Sequence, residues 1–333
     1  MVSSDSTTTF DRLAELPKPK PAAVIDMRDG TSLQSVIEIL RTRGFCILRN
    51  LFDDVMLDEV TAQANRFLAQ SAVAGVPGYW KVDHPKIILN PFVLGGRVLD
   101  ILLDERVISI IESLMESECI LAETILKQDY ATTYPYFAIH SDFAEGWSKS
   151  DKIEHKLAKE DMRQVIGIGG AFYFHDTEEG SFTFCDGTHT LMSPHGQTLT
   201  GYNKEQQRAI LARKVACTGH RGDLVLFDDR GFHGPDFPSS ADRRIILLDY
   251  YRVDTIGRLQ VTPMPIWSTD IATLSPTQLR VAGVGAESML DPLENAQTRF
   301  KKNRIYSLLQ WGIRHAYIKD HLKNKLKHRL GRL

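Results

Sequence analysis

The chain opens without a periodic pattern of apolar positions. Residues 1–30 are rich in Ser and Thr and then run PKPKP at 17–21, a stretch that can neither cap nor continue a helix, so a flexible leader is expected there. From Thr31 the pattern changes: Leu33, Val36, Ile37 and Leu40 fall at helical spacing, and Gly44 predicts the stop. Phe45-Cys46-Ile47-Leu48 reads as a short buried strand. Asp53 or Asp54 can cap a helix over about 55–73 that carries Leu57, Val60, Ala64, Phe67 and Leu68 on one face. Another helix is expected over about 103–117. Beyond residue 119, short apolar runs are punctuated by Gly, Pro and Asp at 120–127, 134–140, 165–174, 181–185, 213–217, 223–228 and 244–253. Strands this short and this closely spaced predict a mainly β fold, a barrel or two-sheet jelly roll, with flanking helices. The charged stretch 145–163 is too polar for a core and reads as a short helix or a lid. From about 296 the pattern is helical again. One domain over 31–295 is expected, followed by a C-terminal helical segment over 296–333.

Composition adds exclusions. The 333 residues carry 40 basic and 42 acidic side chains, a net charge near −2, so nothing global points to nucleic acid. Cys46, Cys119, Cys185 and Cys217 are widely spaced with no CxxC pair, which argues against a disulfide framework or a thiolate zinc site and for a reducing cytoplasm. No apolar run is long enough to span a bilayer.

The candidate chemistry begins at FAIHSDF, 137–143. Side chains two apart on a strand share a face, so His140 and Asp142 point the same way, about 6–7 Å apart along the strand, while Ser141 points opposite. Alone, His-x-Asp is a common pairing. The stretch 220–253 adds a Gly-Asp turn, a strand, a polar loop with His233, and a strand that opens at Arg243-Arg244. Taken singly, that histidine could lie on the surface and the arginines could be solvated charge. Together the four parts make a 2-His-1-carboxylate triad with a cationic anchor, the arrangement preferred by non-haem Fe(II) oxygenases.

With these motifs in view, the sequence resembles the phytanoyl-CoA dioxygenase family of 2-oxoglutarate oxygenases. The resemblance runs from about 32 to 253 and includes RGFCILRNLFDDVMLDEV (43–60), AFYFHDTEEGSFTFCDGTH (171–189) and GDLVLFDDRGFH (222–233). It departs at Asp186-Gly187-Thr188, where Pro-Gly-Ser is usual, and at Asp236, where Asn is common. The resemblance implies a double-stranded β-helix (a jelly roll, cupin-like), with His140, Asp142 and His233 holding iron(II). It also implies an anchor eleven residues past the distal histidine, which selects Arg244 to hold the distal carboxylate of 2-oxoglutarate and turns Arg243 the other way. Lys127 and Gln128, on the strand before His-x-Asp, stand where relatives place 2-oxoglutarate contacts; solvated strand positions are an equal reading. Three protein ligands leave three octahedral positions, two for the keto-acid end of 2-oxoglutarate and one for O2. Because Asp142 is a carboxylate, no position is vacated for chloride. Hydroxylation of an aliphatic C–H of a small or medium-sized metabolite, as in biosynthesis, is therefore favoured over halogenation. Desaturation, ring closure or epimerisation on the same iron centre, and a non-catalytic jelly-roll binding protein, are the alternatives.

Other residues carry weaker signals. Trp147 could wall a substrate pocket or pack in the core, and His155 and Arg163 could meet an anionic substrate or be simply solvated. His175 and His189 read as structural hydrogen-bonding histidines. GIGG at 167–170 resembles a nucleotide loop but leads into a strand, not a helix. The tail from Ile313 to Leu333 has seven Lys/Arg and one Asp, with Ile318, Leu322, Leu326 and Leu330 every four residues. Such a basic amphipathic helix can meet a membrane surface or an acidic partner, but packing of its Leu stripe on the barrel or across a dimer interface is the favoured reading.

Overall fold

The computed structural model describes residues 13, 15–28, 33–69, 86–89, 91–129, 131, 138–144, 146, 157–191, 198–237, 239–260 and 266–288, which belong to one compact unit, Met1–Val76 with Asp83–Met289. Trp147, His155 and the basic tail lie outside the described residues. Among the described residues no helix is long and apolar enough to cross a membrane.

Helix α1 (Leu33–Arg43) buries Val36, Ile37 and Leu40, the face its sequence period marks out. It ends at Gly44, whose φ of +84° is the left-handed conformation that closes a helix. Strand β2 (Phe45–Arg49) follows at once. Helix α2 (Asp54–Ala69) starts where the Asp53 carboxylate accepts the Met56 N–H at 2.8 Å. Helix α3 (Val98–Leu102) leads into α4 (Glu105–Met115), capped by the Asp104 carboxylate at its start and closed by left-handed Glu116.

Among the described residues the strands form two main sheets and a separate two-stranded ribbon, Leu259–Gln260 with Glu287–Ser288. The larger has the order β1-β2-β8-β5-β10-β4-β3, where β1 is Val24–Asp26, β3 Lys86–Leu89, β4 Cys119–Asp129, β5 Gly167–Tyr173, β8 Leu224–Asp228 and β10 Arg243–Arg252. The smaller has the order β7-β6-β9, with β6 Thr177–Cys185, β7 Lys214–Gly219 and β9 His233–Pro235. Only β1 and β2 pair in parallel within these two sheets. Val24–Asp26 falls inside the stretch expected to be a flexible leader, so that expectation is corrected: three residues suffice to add an edge strand with Ile25 buried.

The two faces of the large sheet have separate cores. Cys46, Leu48, Leu121, Leu126, Ile168, Phe172, Leu224, Leu226, Ile246, Leu248 and Tyr250 meet the helices. Phe45, Ile47, Ala171, Tyr173, Val225, Phe227 and Ile245 meet Phe182, Phe184, Val215 and Cys217 of the small sheet. Ring contacts cross the gap, Phe45 to Phe184 at 5.0 Å and Phe182 to Phe227 at 4.3 Å between centroids. A sheet covered on both faces needs apolar side chains of both parities, which is why its strands read as unbroken apolar runs. The fold is a double-stranded β-helix wrapped by helices.

The charged stretch expected to stay out of the core contributes to it. Leu157 and Met162 are buried with Phe143, Ile166 and Tyr251, and the Gly146 N–H donates to the Leu157 carbonyl at 2.7 Å. Two apolar residues in a polar run were enough.

Gly44 is also a contact point: a Cβ there would stand 2.5 Å from His189 Nδ1 and 2.9 Å from the Phe184 ring. Gly44→Ala adds left-handed strain to overpacking, and a loss of about 2–4 kcal/mol is expected from chemical denaturation. An unchanged midpoint would contradict the close packing of α1 on His189.

Candidate metal centre

Two segments far apart in sequence meet through their backbones. The His140 N–H donates to the His233 carbonyl at 2.9 Å and the His233 N–H to the His140 carbonyl at 2.7 Å, a reciprocal antiparallel pair. His233 opens strand β9 rather than lying on a loop, and His140 extends the small sheet by one bridge position. Two residues on from His140, the Asp142 N–H donates to the Asp229 carbonyl at 2.9 Å.

The three expected ligands converge. His140 Nε2 lies 3.4 Å from one Asp142 carboxylate oxygen, and His233 Nε2 lies 3.2 Å from the other. The two imidazole centroids are 4.5 Å apart. Cis ligands about 2.1 Å from an octahedral ion stand about 3 Å apart, so the donor set fits a single ion of that kind. His140 Nδ1 is 3.0 Å from the Ala138 carbonyl and His233 Nδ1 is 3.0 Å from the Gly231 carbonyl. A carbonyl only accepts, so each Nδ1 carries the proton and each Nε2 presents its lone pair to the ion. The Phe182 and Phe227 rings pack on the buried His233 and fix its plane.

Two carboxylates that the sequence did not single out stand close by. Asp142, Asp229 and Asp249 each offer an oxygen within 4.8 Å of the others. Asp229 is buried against β5, where a Cβ at Gly167 or Gly169 would come within 2.5 Å of its carboxylate. The Gly-rich run thus makes room for an acid, and for the Phe143 and Phe227 rings, beside a candidate ligand. Burial pushes the Asp142 carboxyl up, but in the ion-free protein the His233 and His140 imidazoles, when they carry a proton on Nε2 in place of the ion, outweigh it and hold the group well below the usual carboxylate range.

The arginine pair is reversed relative to expectation. Arg243 pairs across the sheet with Asp129, while Ile245 pairs with Lys127, and both cross-strand pairs share the parity of Ile245, which faces the small sheet. Arg243 donates to an Asp129 carboxylate oxygen at 2.5 Å and to the carbonyl of Gly180 on β6. Lys127 Nζ stands 3.5 Å from the same Asp129 oxygen. Burial lowers the Lys127 pKa, Asp129 opposes that shift and Arg243 adds to it. Arg244 has the parity of Ile246 and turns to the helices, where it donates to Asn65 of α2 at 2.5 Å and to Gln128 at 2.8 Å. Gln128 therefore also faces away from the metal ligands. Of the expected anion contacts, Lys127 faces the inter-sheet space and Gln128 and Arg244 do not.

The remaining candidates disperse. Arg163 is exposed and lines a cavity of about 770 Å³ with Arg41, His189, Arg230 and Arg252, which includes none of the three ligands. His175 Nε2 accepts the Arg244 N–H at 2.9 Å, and His189 Nε2 donates to the Arg41 carbonyl at 3.0 Å. Both are placed as structural histidines.

No family model and no curated protein matches the chain. Solved structures do. EctD from S. alaskensis with bound Fe superposes with a TM-score of 0.53 at 17% identity, over 68% of this chain and 79% of that one. The same enzyme with 2-oxoglutarate and 5-hydroxyectoine gives 0.52 at 16% identity, over the same shares. The epimerase SnoN, in complex with Fe3+, alpha ketoglutarate and nogalamycin RO, gives 0.49 at 17%, over 66% and 84%. The EctD likenesses agree with the double-stranded β-helix seen in the sheets.

The depressed Asp142 pKa has a testable sign. A carboxyl lowered on folding contributes stability above its unfolded pKa of about 3.9, and that contribution is lost as pH falls through the folded value. In metal-free protein, Asp142→Asn is expected to lose stability relative to wild type at pH 5–6, and the gap is expected to narrow steadily as the pH falls below the unfolded pKa of about 3.9 toward the depressed folded value. Parallel curves across that range in thermal unfolding would refute the coupling.

Proposed function

We propose that the chain is an Fe(II)- and 2-oxoglutarate-dependent oxygenase that hydroxylates an aliphatic C–H of a small or medium-sized metabolite. The observation that carries this reading is the convergence of two tautomer-locked imidazoles on the two oxygens of one carboxylate, inside a double-stranded β-helix. His140, Asp142 and His233 would hold the iron. Iron bound there supplies, with 2-oxoglutarate and O2, the oxidation that yields hydroxylated product, succinate and CO2.

The residues of the chain do the positioning. Lys127 and Arg243 are two basic side chains on the face of the large sheet that meets the small sheet, both beside Asp129. The distal carboxylate of 2-oxoglutarate is assigned to this cationic wall, a role first expected of Arg244. The aromatic rings of Phe182 and Phe227 keep water from the back of His233. Asp142 fills the third protein position, so hydroxylation fits better than halogenation; desaturation, ring closure or epimerisation would use the same donor set and are told apart by product analysis. Kinship with phytanoyl-CoA dioxygenases is part of this reading, supported by the motifs around residues 43–60, 171–189 and 222–233.

Anaerobic addition of Fe(II) and 2-oxoglutarate should give the visible charge-transfer band of the chelate, and succinate should form in air. His140→Ala and Asp142→Ala should abolish both. Succinate formation at the wild-type rate in either variant would end the proposal, and a wild type with no band would favour a binding protein.

The arginines separate two versions of the co-substrate site. Arg243→Ala should raise KM for 2-oxoglutarate at least tenfold, because a desolvated charge contact is lost. Arg244→Ala should leave that KM within about twofold while lowering thermal stability through its lost contacts with α2 and Gln128. The opposite ranking would restore Arg244 as the anchor.

A further inference from the structure

The middle residue of His-x-Asp does not join the candidate ligand cluster, yet it is firmly tied in place. Ser141 is fully buried, and its Oγ lies 2.8 Å from the Phe143 carbonyl, 3.1 Å from the Arg230 carbonyl and 3.4 Å from the Asp229 carbonyl. A hydroxyl has one proton to share among three acceptors, so it sits at the centre of a carbonyl nest formed by its own bend and the 229–230 turn. That turn runs straight on to Gly231, whose carbonyl holds the His233 imidazole, and then to His233 itself. The Asp142 N–H bonds the same turn at Asp229 O.

We propose that Ser141 is a positioning residue that sets the separation between the two ligand-bearing segments and thereby the affinity and geometry of the metal centre. This rests on the metal reading above. The reciprocal His140–His233 backbone pair fixes the segments at one point only and leaves Asp142 able to swing about it. Ser141 and the Asp142 N–H supply the second point of attachment, beyond the first along the chain. With two points fixed, both Asp142 oxygens stay opposite the two Nε2 atoms. Groups that orient ligands from behind change metal affinity by about 10–100-fold when removed.

The test is metal binding rather than turnover. Wild type, Ser141→Ala and Ser141→Thr are titrated with Co(II), and the ligand-field spectrum is recorded with the Kd. Thr124→Val is the stability control: it removes a buried hydroxyl bond to the Leu247 carbonyl on the helix-facing side of β4. Ser141→Ala is expected to weaken Co(II) binding at least tenfold and to alter the band pattern, Ser141→Thr to recover most of the affinity, and Thr124→Val to match wild type at a comparable drop in Tm. Ser141→Cys, a weaker donor of similar size, replaces the alanine variant if that fails to fold, with the same expected direction. Wild-type affinity and spectrum in Ser141→Ala or Ser141→Cys would overturn the inference while leaving the metal site standing. Failure of wild type itself to bind Co(II) or Fe(II) would overturn both.

Discussion

The site depends on one backbone interaction, the reciprocal pair between His140 and His233. Two residues that exchange both amide bonds cannot slide past each other without losing both, so the pair acts as a register lock between segments that the chain joins by a long detour. Everything metal-directed is referred to it. The imidazoles lie side by side because their backbones do, and Asp142 falls opposite them because it is two residues along an extended segment. A slip of one residue would send His140 to the outer face and bring Ser141 inward. The register that places the ligands is thus the same one that buries the serine.

Around this lock the fold is assembled from forces of a different kind. The inter-sheet rings of Phe45, Phe182, Phe184 and Phe227 hold the sheets together without direction, while charged pairs fix particular strands. Arg243 with Asp129 ties β10 to β4, Arg43 with Asp186 ties the end of α1 to the small sheet, and Arg230 with Asp228 stiffens the turn before β9. Ion pairs of this burial add little net stability, since desolvation offsets attraction, but an unpaired partner would be costly. Their contribution is to make alternative registers unfavourable in the part of the barrel that carries the chemistry.

The same physics explains what could be read from the sequence. Helices α1, α2 and α4 announce themselves because each has one wet face, so their apolar positions are spaced, and the signals at Gly44 and Asp53 mark the end of α1 and the start of α2. The convergence of His140, Asp142 and His233 was legible because a His two residues from an Asp and a later His after a Gly-Asp strand is a sparse pattern. The arginine register was not. Strand β10 is apolar on both faces, Ile245 toward the small sheet and Ile246 toward the helices, so it has no alternation to reveal which arginine points inward. Spacing from the distal histidine was the only guide, and a difference of one residue reverses it. Helix α5 (Lys204–Leu211) escaped for the opposite reason: it buries only Ile210, leaving no stripe to detect, although its capping box between Asn203 and Gln206 is written in the sequence. Asp229 and Asp249 lay hidden because an acid at the end of one strand and another inside a second give no sign of proximity.

The glycines of β5 have a consequence for divergence within such a fold. Positions 167 and 169 admit no side chain while the Asp229 carboxylate and the Phe143 and Phe227 rings stand where they do, so any lineage that keeps this packing is confined to glycine at both. A descendant with alanine or serine at 169 must first have moved both the acid and the Phe227 ring, and the changes have to arrive together or in that order. Gly-x-Gly on this strand, at first sight a motif for phosphate, becomes a marker for a buried acid packed between two rings, and its loss in a related sequence would signal rebuilt surroundings of the candidate metal centre.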